Sequence, residues 1–422
     1  MRRWRTVIHY RFAASLPLKG RISRLRGDGI ESLSIRAVGV MKKGRMEFFI
    51  RPLFLLNFPY RYAILKTKRV NAYKKRRFNM IYLLSPNKKQ YRANLHCHSV
   101  LSDGKRTPAE LKELYKANGY SILAITDHES PGTHQELNDD DFIMITGYEA
   151  HVRAGKGKFN QYGPEIHMNL FAEDPNSMKI VNYDPDFCGW AIRDGREGEF
   201  ERVGITGERE YSVEYINNFI KIANENGYIV SYNHPYWSLE EESTILSYEG
   251  IFSLEIINGG SDMLSGIEYS GALYDRMLRR GKRVFCHGGD DSHGSRPVDD
   301  PYFDSFGGYT MIMPDEFTYD GIYRAMKTGE MYASRGPRIF EISVDGDNLH
   351  IECSPVSHIF AYMGSKRTKN LHAPRGGSIT SADFKIDEGA KYIRVSVFDE
   401  HGKSADSRGY FPEEFGREGK TE

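Results

Sequence analysis

The segment NLHCHSVLSDG, residues 94–104, places two histidines one residue apart and an aspartate a short loop later. Side chains at positions i and i+2 of a β-strand point to the same face, so His96 and His98 can reach one metal ion. Cys97 then points the other way, into packing, and is not expected to bind metal. Asp103 can turn back toward the same end of the strand and serve a neighbouring ion. The segment therefore predicts the first edge of a metal site.

The sequence around this segment alternates short runs of β-branched and aromatic residues with amphipathic segments, which is typical of an α/β fold. Thr107, Pro108 and Glu110 give the first candidate helix a cap, a first-turn proline and a capping-box glutamate. Residues 172–210 show no clear period and predict a long insertion loop. The candidate strands are YRANLHCH, SILAITDH, DFIMITGYEA, EIHMNLFA, GYIVSYNHP, IFSLEIING, KRVFCHGGDD and GGYTMIM. The candidate helices are TPAELKELYKANG, SVEYINNFIKIANENG, GIEYSGALYDRMLRRG and TYDGIYRAMKTGE.

Histidines and carboxylates recur at the ends of these candidate strands, where an α/β body collects its ligands. Imidazole and carboxylate groups without thiolate suit Zn, Mn or Fe, and so many of them indicate more than one ion. The candidate ligands are His96, His98, Asp103, His128, Glu149, His167, His234, Asp291 and His293.

Each candidate ligand also has an ordinary interpretation. A lone His96 or His234 is more often a hydrogen-bonded core or surface residue, and Asp103 could simply form a turn. Asp127 could cap a helix, and Glu149 could be a solvated carboxylate. Their joint occurrence at the ends of successive strands favours the metal site.

The motifs HxH and SDG at 96–104, TDH at 126–128, GYE at 147–149, NHP at 233–235 and GDDSH at 289–293 together resemble the polymerase and histidinol phosphatase (PHP) superfamily. The resemblance spans residues 91–335. The C-terminal part and the SRGP junction are more similar to its two-domain branch, which includes carbaryl-hydrolase-like metallohydrolases. The resemblance implies a distorted seven-stranded (β/α) barrel of PHP type with two or three divalent ions at its mouth.

The resemblance also implies a division of ligands among the ions. The first ion would be held by His96, His98, Glu149 and Asp291. Glu149 would bridge to a second ion held by His167 and His234, although His151 could take the place of His167. A third ion would be held by Asp103, His128 and His293.

Catalytic roles beyond metal binding are expected for three residues. His128 or His293 could protonate the leaving oxygen. Arg335 could return to the mouth and bind the substrate phosphate, or it could instead pair with the C-terminal domain at the junction. Tyr236 and Trp237 could stack on a base or ring of the substrate, or pack under the mouth.

The sequence predicts four segments. Residues 1–79 form a basic extension, 80–337 the metallohydrolase domain, 338–411 a small, sandwich-like all-β domain and 412–422 a charged tail. Within the β-domain, Asp345-Gly346 and His401-Gly402 predict hairpin turns.

The near-neutral net charge of +1 conceals an asymmetry between these segments. Residues 1–79 carry 21 basic and 3 acidic residues, whereas the remainder carries 37 basic and 54 acidic ones. The basic segment could be a nucleic-acid-binding arm, a targeting peptide, or translation from a start codon upstream of a native start at Met80. The third explanation is favoured by composition.

The remaining composition bounds the setting of the protein. Four widely spaced cysteines without a CxxC pair predict a reducing, cytoplasmic location, without disulfides or a cysteine zinc site. The longest apolar run, PLFLLNF at 52–58, is too short for a membrane span, and no membrane association is expected.

Three functions are compatible with these observations. The first is a metal-dependent phosphoesterase acting on a small phosphate ester, such as a nucleotide or the 5′ end of a short single-stranded oligonucleotide. The acidic body argues against a large duplex substrate. The second is a carbamate or carboxylic ester hydrolase on the same metals. The third is a non-catalytic scaffold whose β-domain binds a partner. The sequence makes no prediction of the oligomeric state.

Overall fold

The computed structural model describes residues 80–155, 160–266 and 268–417, and before them the backbone of four strands. The chain divides into two compact units, Met1–Arg76 and Arg77–Glu422. In the first unit an antiparallel sheet runs in chain order through β1 (Val7–His9), β2 (Lys19–Arg26), β3 (Gly29–Lys42) and β4 (Arg45–Arg51). The basic side chains on which the three explanations of residues 1–79 depend lie outside the described residues.

The second unit alternates strands and helices, as the sequence pattern predicts. Its strands are β5 (Ile81–Leu84), β6 (Tyr91–Asn94), β7 (Ile122–Ala124), β8 (Ile143–Ile145), β9 (Gly147–Arg153), β10 (Glu165–Ala172), β11 (Lys179–Val181), β12 (Glu201–Val203), β13 (Tyr228–Tyr232), β14 (Ser253–Asn258), β15 (Phe285–Gly289), β16 (Tyr309–Ile312), β17 (Met331–Ser334), β18 (Ile339–Asp345), β19 (Asn348–Val356), β20 (His358–Tyr362), β21 (Lys369–His372), β22 (Ile379–Lys385), β23 (Arg394–Phe398) and β24 (Ser404–Ser407). Its helices are α1 (Pro108–Ala117), α2 (Gly189–Arg193), α3 (Val213–Glu225), α4 (Glu242–Ile245), α5 (Gly259–Ser265), α6 (Gly271–Arg279) and α7 (Tyr319–Thr328).

The longer helices begin where capping chemistry predicts. Thr107 accepts a hydrogen bond from the backbone of Glu110, whose carboxylate accepts one from the Thr107 backbone, so the predicted capping box is confirmed. Ser212 caps α3 by accepting a hydrogen bond from the Tyr215 backbone, and Thr318 caps α7 by accepting one from the Gly321 backbone. Each of these helices buries one apolar face against the strands.

Most of the α/β part lies in two sheets. One has the order β15-β14-β13-β10-β9, and the other runs β17-β16-β6-β7-β8 at one end of a nine-stranded sheet. The mixed α/β class is therefore present, but the sheets are open rather than closed into the expected seven-stranded barrel.

Local contacts explain why the ladder is interrupted. Between β15 and β16, the backbone groups of Gly288 bind the side chain of Thr310. The Thr310 hydroxyl accepts a hydrogen bond from Gly288 N at 3.0 Å and donates one to Gly288 O at 2.7 Å. Between β8 and β9 the chain turns at Thr146, and isolated bridges such as His128 to Glu149 join β9 to the loop after β7. Side chains and single bridges thus replace a continuous ladder at two seams.

The C-terminal strands extend the α/β part instead of standing apart from it. β17 pairs with β24, which continues the nine-stranded sheet into β23, β20 and β21. β5 pairs with β18 in a second sheet of order β22-β19-β18-β5. Asp345-Gly346 and His401-Gly402 connect paired strands, as predicted. The boundaries at 337 and 411 stay predictions.

The insertion at residues 172–210 has more structure than the absence of a sequence period predicts. It contains α2 and the parallel pair β11 and β12. Asn182 joins its two sides, because its backbone N–H donates to Val203 O at 2.9 Å and its side-chain oxygen accepts from Ile205 N at 2.8 Å. Short strands of three residues leave little periodicity to read in a sequence.

Two further expectations concern the setting. No helix among the described residues is long and apolar enough to cross a membrane. The four cysteines are buried and unpaired. A cytoplasmic location stays a prediction.

Candidate metal centre

His96 and His98 lie just beyond the end of β6, with their imidazoles fully buried. Cys97 between them bridges to Ser292 through its backbone and buries its side chain in the apolar core, on the opposite side. The i and i+2 geometry expected from the sequence is present. The two imidazoles reach a common carboxylate, Asp291, at 3.2 and 3.0 Å.

The structure brings all nine predicted ligands together in overlapping groups. Within each group the ligand atoms lie within 4.8 Å of one another. The groups are His98, Asp103, His128 and His293; His96, His98 and Glu149; His96, His234 and Asp291; and His128, Glu149 and His167.

Glu149, on β9, lies at the centre of the cluster. Its Oε1 atom is 3.1 Å from His96, 3.2 Å from His167 and 3.3 Å from His234. Its Oε2 atom is 3.1 Å from His128 and 3.5 Å from His98. The two oxygens of one buried carboxylate therefore face different sets of imidazoles, which is the geometry of a bridging ligand.

Asp103 gathers the outer members of the cluster. Its carboxylate lies 3.4 Å from His293, 3.7 Å from His128 and 3.7 Å from His98. The side chains of Asp103, His128 and His293 are 33%, 17% and 29% exposed, whereas those of His96 and Glu149 are at most 1% exposed. The cluster therefore has a deep part and an outer part.

The geometry also separates His167 from His151, which face each other across β9 and β10. Nδ1 of His167 is 3.2 Å from Glu149, whereas Nδ1 of His151 is 3.3 Å from Glu129. Of the two, His167 belongs to a ligand group. The structure therefore favours His167 as the ligand.

Arg335 does not reach the cluster and does not line the cavity above it. Its guanidinium donates to Asp262 at 3.2 Å and to the carbonyl of Gly402 at 3.4 Å, and it lies over the ring of Tyr269. The role in phosphate binding has no geometric support, because the side chain is committed to the junction with the C-terminal strands.

Unpartnered polar atoms test whether the cluster suits metal ions. Within the described residues, buried ligand atoms without a hydrogen-bond partner include Nε2 of His96, Nδ1 of His128, Oε2 of Glu149 and Nδ1 of His167. Buried polar atoms are normally satisfied, so several orphans that converge on one another indicate that something else completes them. Nitrogen and oxygen donors of this kind fit Mn, Fe or Zn.

The backbone is strained at two metal-ligand candidates and at one residue that directly follows a third. Glu129, His234 and Asp291 have φ angles of 48°, 25° and 53°, in the left-handed region that non-glycine residues rarely adopt. Such strain is retained where the surrounding contacts over-determine the conformation, which is common at functional sites.

The dense mixture of charges shifts the pKa values of the histidines in opposite directions. Burial alone would lower the pKa of His96, but the charges of Asp291 and Glu149 outweigh it and raise that pKa well above its usual value. Burial and the neighbouring His98 lower the pKa of His128 to about 3. The pKa of His167 rises to about 10, because Glu149 outweighs its burial. Without ions, the carboxylates would hold protons on some imidazoles and not on others.

Glu255 is a site residue that the sequence analysis missed. Its Oε1 is 3.0 Å from Nδ1 of His96, and its Oε2 accepts hydrogen bonds from the His234 backbone and the Asn258 side chain, each at 3.0 Å. A carboxylate on the far nitrogen of a ligand histidine fixes its tautomer and orientation. The available signal in the sequence was a glutamate in the middle of the otherwise uncharged strand β14.

Asp127 has a different role from the helix cap considered above. Its carboxylate accepts hydrogen bonds from the Ser99 backbone at 2.7 Å, the Ser99 hydroxyl at 2.6 Å and the Ser102 hydroxyl at 2.6 Å. It therefore holds the loop that leads from His98 to Asp103.

A buried ion pair fastens the insertion to the site. Arg209, with no exposed side-chain area, donates to both oxygens of Glu129 and to the carbonyls of His151 and Asn182. Glu129 follows His128 directly and also accepts from the His151 backbone at 2.8 Å. The end of the insertion is thus tied to β9 and to the loop after β7, both of which carry members of the cluster.

A cavity of about 960 Å³ opens above the cluster. Its lining includes Asp103, His128, His293 and Glu149 of the cluster, together with residues of the insertion. This volume is within the range of small-molecule sites.

Comparison of the sequence with models of protein families and with curated proteins finds no match. Among solved structures, the chain is similar to a two-domain protein from Bacteroides vulgatus that contains a predicted PHP-like metal-dependent phosphoesterase. The two are 16% identical with a TM-score of 0.38, over 77% of this chain and 95% of that one.

Two other solved structures are also similar. One is a predicted metal-dependent phosphoesterase from Bifidobacterium adolescentis. The two are 16% identical with a TM-score of 0.32, over 56% of this chain and 94% of that one. The other is an amidohydrolase from Chromobacterium violaceum with bound sulfate and no metal, with 18% identity, a TM-score of 0.32, and coverage of 48% and 87%.

Proposed function

We propose that the chain is a metal-dependent phosphoesterase of PHP type, with its barrel opened at the two seams described above. The observation that carries the proposal is Glu149, whose two carboxylate oxygens face separate groups of imidazoles. The motif resemblance and the orphaned ligand atoms support it.

In this proposal the ligands divide as the resemblance implies. Two or three divalent ions, of Mn, Zn or Fe, would be held by His96, His98, Glu149 and Asp291, by Glu149 with His167 and His234, and by Asp103, His128 and His293. When bound, such ions supply Lewis acidity and lower the pKa of water toward neutrality.

The protein's own groups then position the reactants. Glu255 holds His96 in one orientation, and Asp127 holds the loop that presents Asp103. His128 and His293 both line the cavity and are partly exposed. His293 is the better proton donor to a leaving oxygen, because Asp103 and Asp291 outweigh its burial and raise its pKa to about 9, whereas burial and His98 lower the pKa of His128 to about 3.

The proposed substrate is a small phosphate ester, such as a nucleotide or the 5′ end of a short single strand. The cavity volume of about 960 Å³ supports a small substrate. The excess of acidic residues after position 79 argues against duplex nucleic acid, whose binding surfaces are usually basic.

The test is a substrate panel with the full chain loaded with Mn²⁺ or Zn²⁺. It contains p-nitrophenyl phosphate, nucleotides and naphthyl carbamates, and metal content is measured on the same samples. We expect turnover of phosphate esters that chelation removes and metal restores. Turnover of carbamates alone would contradict the proposal and favour the ester hydrolase. Less than one ion per chain after loading would favour the scaffold.

A further inference from the structure

An aromatic wall adjoins the cluster on the side of the loop after β13. The ring of Trp237 lies 4.8 Å from that of His167 and 5.0 Å from that of His234, between centroids. The backbone N–H groups of Tyr236 and Trp237 each donate to Glu268 at 3.0 Å, which fixes the loop. Trp237 therefore stands directly beside the ligands and is held there.

The insertion contributes further aromatic residues to the cavity lining. Phe187 lies 4.6 Å from the ring of His151, and Trp190 lies in the first turn of α2. Trp190 and Trp237 are 36% and 41% exposed, which is a large apolar area to leave in water. Exposed apolar side chains grouped around a polar centre mark a binding surface.

The arginines among the described residues that line the cavity are both paired with carboxylates. Among the described residues that line it, the arginines are Arg153 and Arg193. Arg153 pairs with Glu165 at 3.0 Å, and Arg193 pairs with Asp194 at 2.5 Å. This lining therefore offers aromatic faces and no unpaired guanidinium for a second anionic group of a substrate.

We propose that the cavity selects phosphate monoesters whose alcohol carries an apolar ring close to the ester oxygen and no second anionic group. Trp237 determines this specificity. When the phosphate is bound at the cluster, a ring bonded near the ester oxygen contacts the indole of Trp237. The inference rests on the proposed function and narrows its substrate class. Hydrolysis breaks the bond between phosphorus and the ester oxygen. Water supplies the hydroxyl to phosphate and the proton to the alcohol.

The test compares benzyl phosphate with propyl phosphate, whose alcohols are of similar acidity, and with 4-carboxybenzyl phosphate. KM is measured with the metal-loaded full chain. Calorimetry measures the affinities of benzylphosphonate and propylphosphonate, which are not hydrolysed. We expect benzyl compounds to bind about tenfold more tightly than propyl ones, the size of one aromatic stacking contact. The added carboxylate should raise KM.

Variants assign the preference to the wall. Trp237→Ala should weaken benzylphosphonate binding about tenfold and leave propylphosphonate within about twofold, whereas Trp237→Phe should retain most of the preference. Trp190→Ala, in the part of the lining that the insertion contributes, provides an independent measurement if Trp237→Ala does not fold. Tyr302→Ala removes an exposed aromatic residue outside the cavity lining and should change neither affinity.

The outcomes separate the two proposals. Equal affinity for both phosphonates, binding of neither, or equal loss of both in Trp237→Ala overturns the specificity. Selective phosphonate binding without hydrolysis of any ester retains the specificity and contradicts the phosphoesterase. Hydrolysis of benzyl and propyl phosphate with equal KM values supports the phosphoesterase and overturns the specificity.

Discussion

The deep and outer parts of the cluster are built from the same residue types in opposite surroundings. His96 and Glu149 are sealed from solvent, and His96 is oriented by Glu255 behind it. Asp103, His128 and His293 lie at the floor of the cavity and keep between 17% and 33% of their side-chain area exposed.

This difference teaches that one cluster can serve two purposes. A sealed group with oriented ligands favours retention of an ion, since ligand order is established before binding. A partly exposed group favours exchange with solvent and contact with substrate. Four substitutions test the contrast, in order of decreasing effect.

Asp291→Asn should have the largest effect, because it removes a charge that faces both His96 and His98. We expect turnover to fall by at least about a thousandfold. The melting temperature of the metal-free protein should be nearly unchanged, because asparagine keeps the shape. Asp299→Asn, at an exposed position eight residues away, is the matched control. Retained turnover in Asp291→Asn would remove Asp291 from the site.

Glu129→Gln should destabilise the wall of the cavity more than the cluster. It leaves Arg209 buried and unpaired, which should cost about 3 kcal/mol of the free energy of unfolding. Urea denaturation of the metal-free protein at pH 7 measures this cost. Equal unfolding free energies of variant and wild type would show that the ion pair has no net effect.

The same pair predicts a pH dependence with a definite sign. Burial would raise the pKa of Glu129, but the charge of Arg209 outweighs it and holds that pKa well below its usual value. The stability from the pair is therefore fully present above the ordinary glutamate pKa of about 4.3, and is lost as pH falls toward the folded value. The difference between wild type and Glu129→Gln should be constant from pH 6 to 8 and shrink in acid.

Asp103→Asn tests the outer part by itself. It should lower turnover about a hundredfold and reduce the bound metal by one ion per chain, with the deep ions retained. Elemental analysis beside activity measures both effects. Loss of every ion together would contradict the division into deep and outer parts.

Glu255→Gln should have the smallest effect, because glutamine can still accept a hydrogen bond from His96. We expect the dissociation constant of the deep ion to rise about tenfold, measured by competition with a chelator. Glu214→Gln, in the first turn of α3, is the control. An unchanged dissociation constant would show that orientation of His96 does not depend on this charge.

The cluster was predictable from sequence because its ligands lie in short local motifs, and most of them follow strand ends. The i and i+2 rule applied to His96 and His98, and parallel strands bring such ends together. Glu149 and His167 differ, because they lie within β9 and β10, which pair antiparallel. Glu255 was not predictable in this way, since it meets His96 across 159 residues and belongs to no motif.

The fold was predictable for its elements and less so for their closure. Capping and periodicity located α1, α3 and α7, but whether neighbouring strands complete a ladder depends on individual contacts such as the Thr310 hydroxyl on Gly288. The insertion was unreadable for a related reason. Its order comes from Arg209 and Asn182 binding distant backbone groups, and neither interaction leaves a periodic trace.

The pairing of β5 with β18 has a consequence for synthesis on the ribosome. Leu84 is made early, and its partner Ile342 follows about 260 residues later, so this part of the sheet is among the last to form. During translation β5 must remain exposed or be shielded by a chaperone, because an unpaired strand is prone to associate with other chains. A chain truncated after residue 338 would keep every metal ligand and yet leave that edge permanently open.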